Sequence, residues 1–344
     1  MRFEHACIEA VATAVPDERV SSAAIEERLA PLYERLKLQS GRLQLMTGIA
    51  ERRLWPAGML PSEAAARAGE EALRRSSAPR EEIDLLIHAS VCRDRMEPAS
   101  ACAVHRRLGL GPGTLLFDLS NACLGFLDAM VLAGQMIDRG AIRRALVVAG
   151  EDARGLLEGT LRRLLEPDIT RADLKAHFAS LTIGSGAAAA VLAHRAQVRR
   201  PLSLIAATAG AATDHAALCE GGPVGEGRLE MATDSEELLQ QGIGLASTTW
   251  RRFLDTTGWG SQSPARIITH QVGRAHCREL VAALGLEEKK VHLTYEYFGN
   301  MGSVSLPFTL AAALEFEALA AGDRVALLGI GSGINCLMLA VRQD

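Results

Sequence analysis

A cysteine at the start of an apolar helical pattern is the first residue of this sequence that could do chemistry. Cys123 lies in the stretch FDLSNACLGFLDAM, where the residues after it recur at helical spacing. A helix N-terminus, capped here by Asn121 or Ser120, offers free N–H groups and a positive dipole end that favour the nucleophilic thiolate. Free cysteine is also among the residue types most often buried. This stretch alone therefore leaves a nucleophile and a core thiol open.

Two polar residues in the second half of the chain could assist such a nucleophile. His270 follows an apolar run in ITHQV, where an imidazole could act as acid, base or hydrogen-bond donor. Asn300 stands between glycines in YFGNMGSVSLP, and glycines let the backbone approach closely, so its amide could point into a site. The alternatives are a hydrogen-bonded core histidine and an ordinary asparagine turn. The neighbouring His276 is expected to be structural.

A glycine-rich loop and a lone carboxylate complete the candidates. GIGSG (329–333) lacks the GxGxxG spacing and the lysine of phosphate-binding loops. It is better suited to present a backbone N–H group, as in an oxyanion hole. A related loop in the first half, IGSGAAAAV (183–191), is interpreted as close packing between layers. Glu97 precedes a proline in CRDRMEPAS, where a solvated loop charge is the simplest interpretation.

The elements that must position these residues alternate between apolar strands and amphipathic helices. The predicted strands are 83–90, 113–119 and 143–152, and the predicted helices are 97–110 and 123–139. Such alternation is typical of α/β architecture with crossover helices. A charged helical pattern at about 155–180 interrupts it. We expect this segment to be an inserted helical cap over the core.

The second half of the chain repeats the plan of the first. The matched pairs, each about 180 residues apart, are 83–110 with 266–286 and 140–152 with 321–333. A fixed offset over two elements indicates a duplication rather than coincidence. The sequence thus predicts an N-terminal half, 1–200, with the cysteine and the cap, and a C-terminal half, 201–344, with the histidine and asparagine. Their equivalent loops would meet in one central site.

Composition narrows the class of protein. The 344 residues are 48% hydrophobic and carry a net charge of -4, which gives no electrostatic reason to expect nucleic acid or an anionic membrane as partner. The seven cysteines show no CxxC pair and no zinc-like spacing, so neither a metal nor a disulfide framework is expected. No signal peptide and no apolar run of membrane-spanning length are found. Free thiols fit a cytoplasmic location.

Together, these motifs resemble the thiolase superfamily and, within it, the ketoacyl synthase III branch. The matching stretches are TGIAERRLW, NACLGF, HQV and GNMGSVSLP. The stretches SVCRDRMEPASA, HQVGRAH and ALLGIGSGINC are most similar to OleA-like enzymes, which join two fatty acyl chains head to head. The resemblance implies an α/β fold of five αβαβα layers, an obligate homodimer, and coenzyme A thioesters as substrates without a further cofactor.

The resemblance also implies a role for each candidate residue. Cys123 would take an acyl group from an acyl-CoA, with its own N–H and that of Ser332 holding the oxyanion. His270 and Asn300 would hold the thioester oxygen of a second acyl-CoA. In OleA-like enzymes the glutamate at the place of Glu97 reaches the partner subunit's active site, where it would remove the α-proton of this second substrate. The product would be a β-ketoacyl chain.

The chemistry of the donor gives an independent reason for this carboxylate. A malonyl donor forms its carbanion by losing carbon dioxide, whereas a plain fatty acyl donor must lose an α-proton and needs a base. The presence of Glu97 therefore favours a non-decarboxylative Claisen condensation. This need for a base replaces the interpretation of Glu97 as a solvated loop charge.

Three alternatives remain. One is a decarboxylative 3-oxoacyl-ACP synthase III that uses malonyl-ACP, and another is an acyltransferase of this fold that passes an acyl group from Cys123 to an alcohol or amine. Both retain the Cys-His-Asn set and leave Glu97 without a role. The third is a non-catalytic partner subunit, which would generally lose the cysteine or the histidine. Acyl-CoA and acyl-carrier-protein thioesters are both candidate substrates.

Overall fold

The structure, a computed structural model, describes residues 1–76, 78–225 and 228–344 as helices packed around one large mixed sheet. The strands are β1 Ala6–Ala14, β2 Glu18–Ser21, β3 Glu51–Leu54, β4 Leu85–His88, β5 Leu115–Asp118, β6 Arg144–Glu151, β7 Gly186–His194, β8 Leu202–Ala211, β9 Cys219–Val224, β10 Arg228–Thr233, β11 Arg266–Thr269, β12 Val291–His292, β13 Arg324–Gly331 and β14 Asn335–Gln343. The helices are α1 Ser22–Arg28, α2 Ala30–Arg35, α3 Arg42–Thr47, α4 Pro61–Ser76, α5 Ser100–Leu108, α6 Gly125–Asp138, α7 Arg154–Leu164, α8 Arg171–His177, α9 Ser235–Thr257, α10 Arg274–Leu284, α11 Tyr295–Phe298 and α12 Ser305–Phe316.

The large sheet repeats one strand order. Its ten strands run β12-β11-β13-β14-β8-β1-β7-β6-β4-β5. The sheet consists of two sets of five strands, counted outward from its middle: β1-β7-β6-β4-β5 and β8-β14-β13-β11-β12. In both sets the strand at the middle comes first in the chain, and the next four come fifth, fourth, second and third. The two sets meet at a short antiparallel pairing in which Cys7 lies opposite Ser203 and Ile8 opposite Leu202. The topology therefore occurs twice along the chain, and the division at residue 200 stays a prediction.

The helices complete five layers. Helices α6 and α12 lie in the central core, with apolar strand residues of both sets around them. Helices α4 and α5 cover the other face of the first set, and α9 and α10 cover the other face of the second. Strand β6 is buried at every position, as expected for a strand covered on both faces. This confirms the predicted α/β fold with αβαβα layering.

The segment predicted as a helical cap contains α7 and α8. Its apolar residues, among them Leu157 and Leu161, pack with α1, α2 and α3 in a cluster separate from the main core. Thr170 and Asp173 form a capping box that fixes the start of α8. None of the described helices is long and apolar enough to span a bilayer.

Candidate active site

Cys123 lies on a strained turn between β5 and α6. The residue before it, Ala122, has φ of 45°, in the left-handed region that residues other than glycine rarely adopt. Backbone strain of this kind clusters at functional sites. The helix begins only at Gly125, so the prediction that it begins at residue 123 is wrong. Cys123 instead occupies the turn that leads into the helix.

The predicted side-chain cap of this helix is also wrong. Leu124 is the N-cap residue, and no side chain caps the helix, so neither Ser120 nor Asn121 has that role. Asn121 instead donates from Nδ2 to Asp128 Oδ2 at 2.8 Å, one turn into the helix. Because Asn335 Nδ2 donates weakly to Asn121 Oδ1 at 3.5 Å, the turn is also tied to β14. These contacts hold the turn that presents the cysteine.

The environment of Cys123 disfavours its thiolate. Burial, with smaller contributions from the negative charge of Glu151 and from the neighbouring Cys219, raises the pKa of the thiol to about 12. The backbone N–H of Cys123 lowers the pKa, but by less. The expected stabilisation of the thiolate at a helix start is therefore outweighed by burial. At this pKa the thiol is protonated at neutral pH, and its reaction as a nucleophile would require a base to accept the proton.

The end of β13 lies directly against the cysteine. A Cβ added at Gly331 would be 3.4 Å from the Cys123 nitrogen and 3.6 Å from its Cβ. Ser332 follows, with its Oγ donating to Cys219 Sγ at 3.3 Å and its carbonyl accepting from Asn335 Nδ2 at 3.2 Å. The structure thus brings the GIGSG turn and the nucleophile candidate together. The oxyanion role of the Ser332 N–H group stays a prediction.

His270 comes directly after β11, which pairs with β13 in parallel. Thr269 lies opposite Leu328, and the His270 N–H donates to the Leu328 carbonyl at 3.0 Å. The histidine therefore lies at the same sheet edge as Gly331. Burial lowers the pKa of His270 to about 4, with a smaller contribution from His276. A neutral imidazole at neutral pH can accept a proton from a thiol.

Gln271 is a positioning residue that the sequence analysis missed. Its buried Oε1 accepts from the Thr294 N–H at 2.9 Å and the Tyr295 N–H at 3.2 Å, while its Nε2 donates to the Thr269 carbonyl at 3.0 Å. These bonds join the loop after His270 to the segment that leads into Asn300. The HQV motif contains the signal, since a glutamine directly after a buried strand needs partners for both ends of its amide.

Asn300 is fixed by contacts to the first half of the chain. Its N–H donates to the Thr182 carbonyl and its carbonyl accepts from Gly184, both at 2.9 Å. Its Oδ1 accepts from the Gly302 N–H at 3.0 Å, and no acceptor for its Nδ2 group is found among the described residues. Gly299 has φ of 66°, and a Cβ there would lie 2.5 Å from the Thr182 oxygen. Close packing against the IGSG loop therefore fixes the position of the Asn300 backbone.

Glu151, at the end of β6, is a second residue that the sequence analysis missed. Its Oε1 accepts from the Val91 N–H at 2.8 Å and from Ser303 Oγ at 2.6 Å, and its Oε2 accepts from the Cys92 N–H at 3.0 Å. Its charge also acts on Cys123. The detectable signal is a carboxylate at the carboxyl end of a central strand, in ALVVAGED.

Glu97 lies near the exposed tip of the loop between β4 and α5. We call residues 91–99 the Glu97 loop and residues 299–304 the Asn300 loop. Asp94 fixes the Glu97 loop, because its Oδ1 accepts from the Ser62 N–H at 2.9 Å and its N–H donates to Ser100 Oγ at 3.0 Å. Beyond this anchor Glu97 is exposed, and Met96 beside it is 88% exposed. Its predicted role as a base stays a prediction.

Comparison with known proteins identifies the class. The protein family 3-oxoacyl-[acyl-carrier-protein (ACP)] synthase III matches residues 117–210. The family of the C-terminal part of that enzyme matches residues 254–343. The acyl-CoA:acyl-CoA alkyltransferases of Shewanella oneidensis and Xanthomonas campestris pv. campestris are 37% and 38% identical over 99% of this chain and 100% and 99% of theirs. The fold and these relatives define a thiolase-like acyltransferase.

Solved structures lead to the same branch. Xanthomonas campestris OleA with cerulenin bound has a TM-score of 0.96 at 37% identity, covering 99% of this chain and 98% of that one. A cysteine variant of OleA with lauric acid and lauroyl-CoA bound has a TM-score of 0.95, covering 99% of each chain. The chain belongs to the ketoacyl synthase III family, in its OleA-like branch. This confirms the predicted family, the thiolase-like fold and the enzyme class.

The described residues show no group of three His, Cys, Asp or Glu side chains that could hold a metal ion.

The raised thiol pKa predicts how Cys123 reacts with iodoacetamide. With the pKa at about 12, the thiolate fraction rises tenfold per pH unit throughout the range in which the protein is handled. We therefore expect the alkylation rate at Cys123 to climb steadily between about pH 6 and 9 without a plateau. Peptide mass spectrometry assigns the label to Cys123. A plateau near neutral pH would instead indicate a thiolate stabilised by the turn.

Proposed function

We propose that the protein joins two fatty acyl-CoAs in a non-decarboxylative Claisen condensation, through an acyl group held on Cys123, to give a β-ketoacyl product. Two lines of comparison support this choice. The full-length relatives are named acyl-CoA:acyl-CoA alkyltransferases, and one OleA variant holds lauroyl-CoA. The substrates are therefore coenzyme A thioesters of fatty acids.

The first half-reaction uses the cluster around the strained turn. The neutral His270 imidazole accepts the Cys123 proton as the sulfur attacks the thioester carbon of the first acyl-CoA. The backbone N–H groups of Cys123 and Ser332 hold the oxyanion of the tetrahedral intermediate. Its collapse expels the coenzyme A thiolate, which takes the proton from the imidazolium. The fatty acyl group remains on the cysteine as a thioester.

The second half-reaction needs a carbanion from a plain fatty acyl thioester. His270 and the Nδ2 group of Asn300 donate to the thioester oxygen of the second acyl-CoA, which favours its enolate. The Glu97 carboxylate removes the α-proton. The α-carbon then attacks the acyl carbon on Cys123, and the cysteine leaves as its thiolate. This step forms the new carbon–carbon bond and gives a β-ketoacyl-CoA. The Cys123 thiolate then takes up a proton and Glu97 releases the proton that it accepted, both by exchange with solvent, which restores the enzyme.

The observation that carries the proposal is Glu97 itself. Solved OleA structures include variants of one glutamate and one cysteine, and that glutamate precedes that cysteine by the same number of residues as Glu97 precedes Cys123. The carboxylate lies on an anchored loop and is exposed to solvent. Only a donor that must lose an α-proton gives such a residue a role, since a malonyl donor needs no base.

A second copy of the chain would bring Glu97 to a reacting centre, so we propose a homodimer. Strand β5 lies at the end of the ten-stranded sheet, and its first residue, Leu115, is 51% exposed. Edge strands of this kind offer unpaired backbone groups to another chain. The neighbouring Val91 and Met96 are 50% and 88% exposed, which adds an apolar surface beside that edge. A twofold contact here would carry the Glu97 loop to the other subunit.

A single assay tests the proposed function. The purified protein is incubated with lauroyl-CoA alone, without malonyl-CoA or malonyl-ACP. The thioesters are then hydrolysed with alkali, and extracts are analysed for a β-keto acid or the ketone formed by its decarboxylation. We expect product, with release of coenzyme A, and none from a Cys123→Ala variant. Strict dependence on a malonyl donor would reject the proposal in favour of the decarboxylative synthase. Transfer of the lauroyl group to an added alcohol or amine would favour the simple acyltransferase.

A further inference from the structure

Glu151 connects loops from both halves of the chain. Its side chain is buried, with 5% of the residue exposed. The Val91 and Cys92 N–H groups at the start of the Glu97 loop donate to it at 2.8 and 3.0 Å. In the Asn300 loop, Ser303 donates from Oγ at 2.6 Å and, more weakly, from its N–H at 3.4 Å. One carboxylate therefore accepts from two loops that are far apart in sequence.

We propose that Glu151 is a positioning residue for the condensation step, which holds the Glu97 loop and the Asn300 loop in one relative arrangement. The inference rests on the proposed function, because that function assigns the enolate-stabilising amide to one loop and the base to the other. The base would serve the other subunit's site. Each Glu151 thus links the Asn300 of its own site to the loop that its chain lends to the partner.

The contacts on both sides are close enough to transmit a displacement. A Cβ added at Gly302, between Asn300 and Ser303, would lie 3.4 Å from the carboxyl carbon of Glu151, so the Asn300 loop packs directly on the carboxylate. On the other side the Glu97 loop is held at Val91 and Cys92 and again at Asp94. Misplacing a reacting group by about 1 Å can cost on the order of 10²-fold in rate.

The electrostatics separate this role from activation of the nucleophile. The negative charge of Glu151 raises the pKa of Cys123, so it opposes formation of the thiolate. Burial raises the pKa of Glu151 itself, while the donors from Ser303, Val91 and Cys92 lower it. A carboxylate here hinders the first half-reaction electrostatically. Its favourable contribution must therefore come through the two loops that it holds.

The test uses Glu151→Gln, which keeps the shape but replaces one acceptor oxygen with an NH₂ group facing an N–H donor. We expect condensation to fall by about 10²-fold while acylation of Cys123 stays within a few-fold of wild type. Hydrogen–deuterium exchange should become faster in peptides from both the Glu97 loop and the Asn300 loop. Alkylation of Cys123 at a fixed pH between about 6 and 9 should become faster, because removing a negative charge lowers the pKa of its thiol.

The control is Glu9→Gln, since Glu9 is a largely buried carboxylate bonded by Arg144 at 3.1 Å, at the opposite end of β6. It should leave exchange in both loops and the Cys123 pKa unchanged. A further variant, Ser303→Ala, should speed exchange in the Asn300 loop only, and it remains informative if Glu151→Gln folds poorly.

Two results would overturn the inference: unchanged exchange in either loop of Glu151→Gln, or equal losses in both half-reactions. If the wild-type protein forms no product from lauroyl-CoA alone, the proposed function fails instead. The exchange measurements then still decide whether Glu151 holds the two loops.

Discussion

Replacing Cys123 with alanine is expected to abolish both half-reactions, because no sulfur is then present to form the acyl thioester. Loss of a catalytic nucleophile costs on the order of 10⁴-fold or more in rate, even when the rest of the site is intact. Serine at this position should fare no better in acyl transfer. Its hydroxyl is a still weaker acid than a thiol whose pKa is already raised to about 12, and His270 would have to remove that proton.

Intact-protein mass spectrometry after incubation with lauroyl-CoA measures the effect directly. Wild type should gain one lauroyl mass, and Cys123→Ala should gain none. Cys7→Ala is the matched control, because burial also raises the pKa of Cys7 to about 12, while that thiol lies inside β1 in the sheet. It should retain the adduct. A lauroyl adduct on Cys123→Ala would place the nucleophile elsewhere and contradict the mechanism.

The parts of the site that could be predicted from sequence are those with local signals. Cys123 and Asn300 stand beside glycines and turns that adopt unusual backbone conformations, and His270 directly follows a short apolar strand. The alternating strand and helix pattern predicted the α/β class, because hydrophobic periodicity depends on local burial. The five layers were implied by the family resemblance. These signals can be recognised in a single sequence, because they do not depend on which distant residues lie nearby in the folded structure.

The remaining features depend on tertiary environment. In the sequence, Glu151 is simply an acidic residue at the end of an apolar run. The two loops that donate to its carboxylate come close to it only in the folded structure. Gln271 is similar, because its partners lie in a distant segment. The direction of the Cys123 pKa was also mispredicted, since the helix N-terminus is visible in sequence and the extent of burial is not. Buried polar contacts between remote segments are therefore the part that needs a structure.

Replacing Glu97 with glutamine is expected to leave acylation of Cys123 intact and to stop condensation. A positioned general base contributes about 10²- to 10⁴-fold, and the amide cannot accept the α-proton. The adduct is measured by intact mass and the product by gas chromatography with mass spectrometry. The control is Arg95→Gln, an exposed residue of the same loop, which should keep most of the condensation. Equal loss in both half-reactions would contradict the assignment of Glu97 as the base.

The same variant decides which site Glu97 serves. Co-expression of a Cys123→Ala chain with a differently tagged Glu97→Gln chain gives, after two affinity steps, dimers with one copy of each. If Glu97 acts in the partner's site, one site of this mixed dimer holds both an intact Cys123 and an intact Glu97. Condensation should then recover to about half of the wild-type rate per dimer, although each variant alone is inactive. If Glu97 acts on its own chain's cysteine, both sites lack one group and the mixed dimer stays inactive. Failure to isolate any double-tagged species would contradict the homodimer itself, because two chains that associate must also form mixed pairs. Glu97 would then have no second chain in whose site it could act.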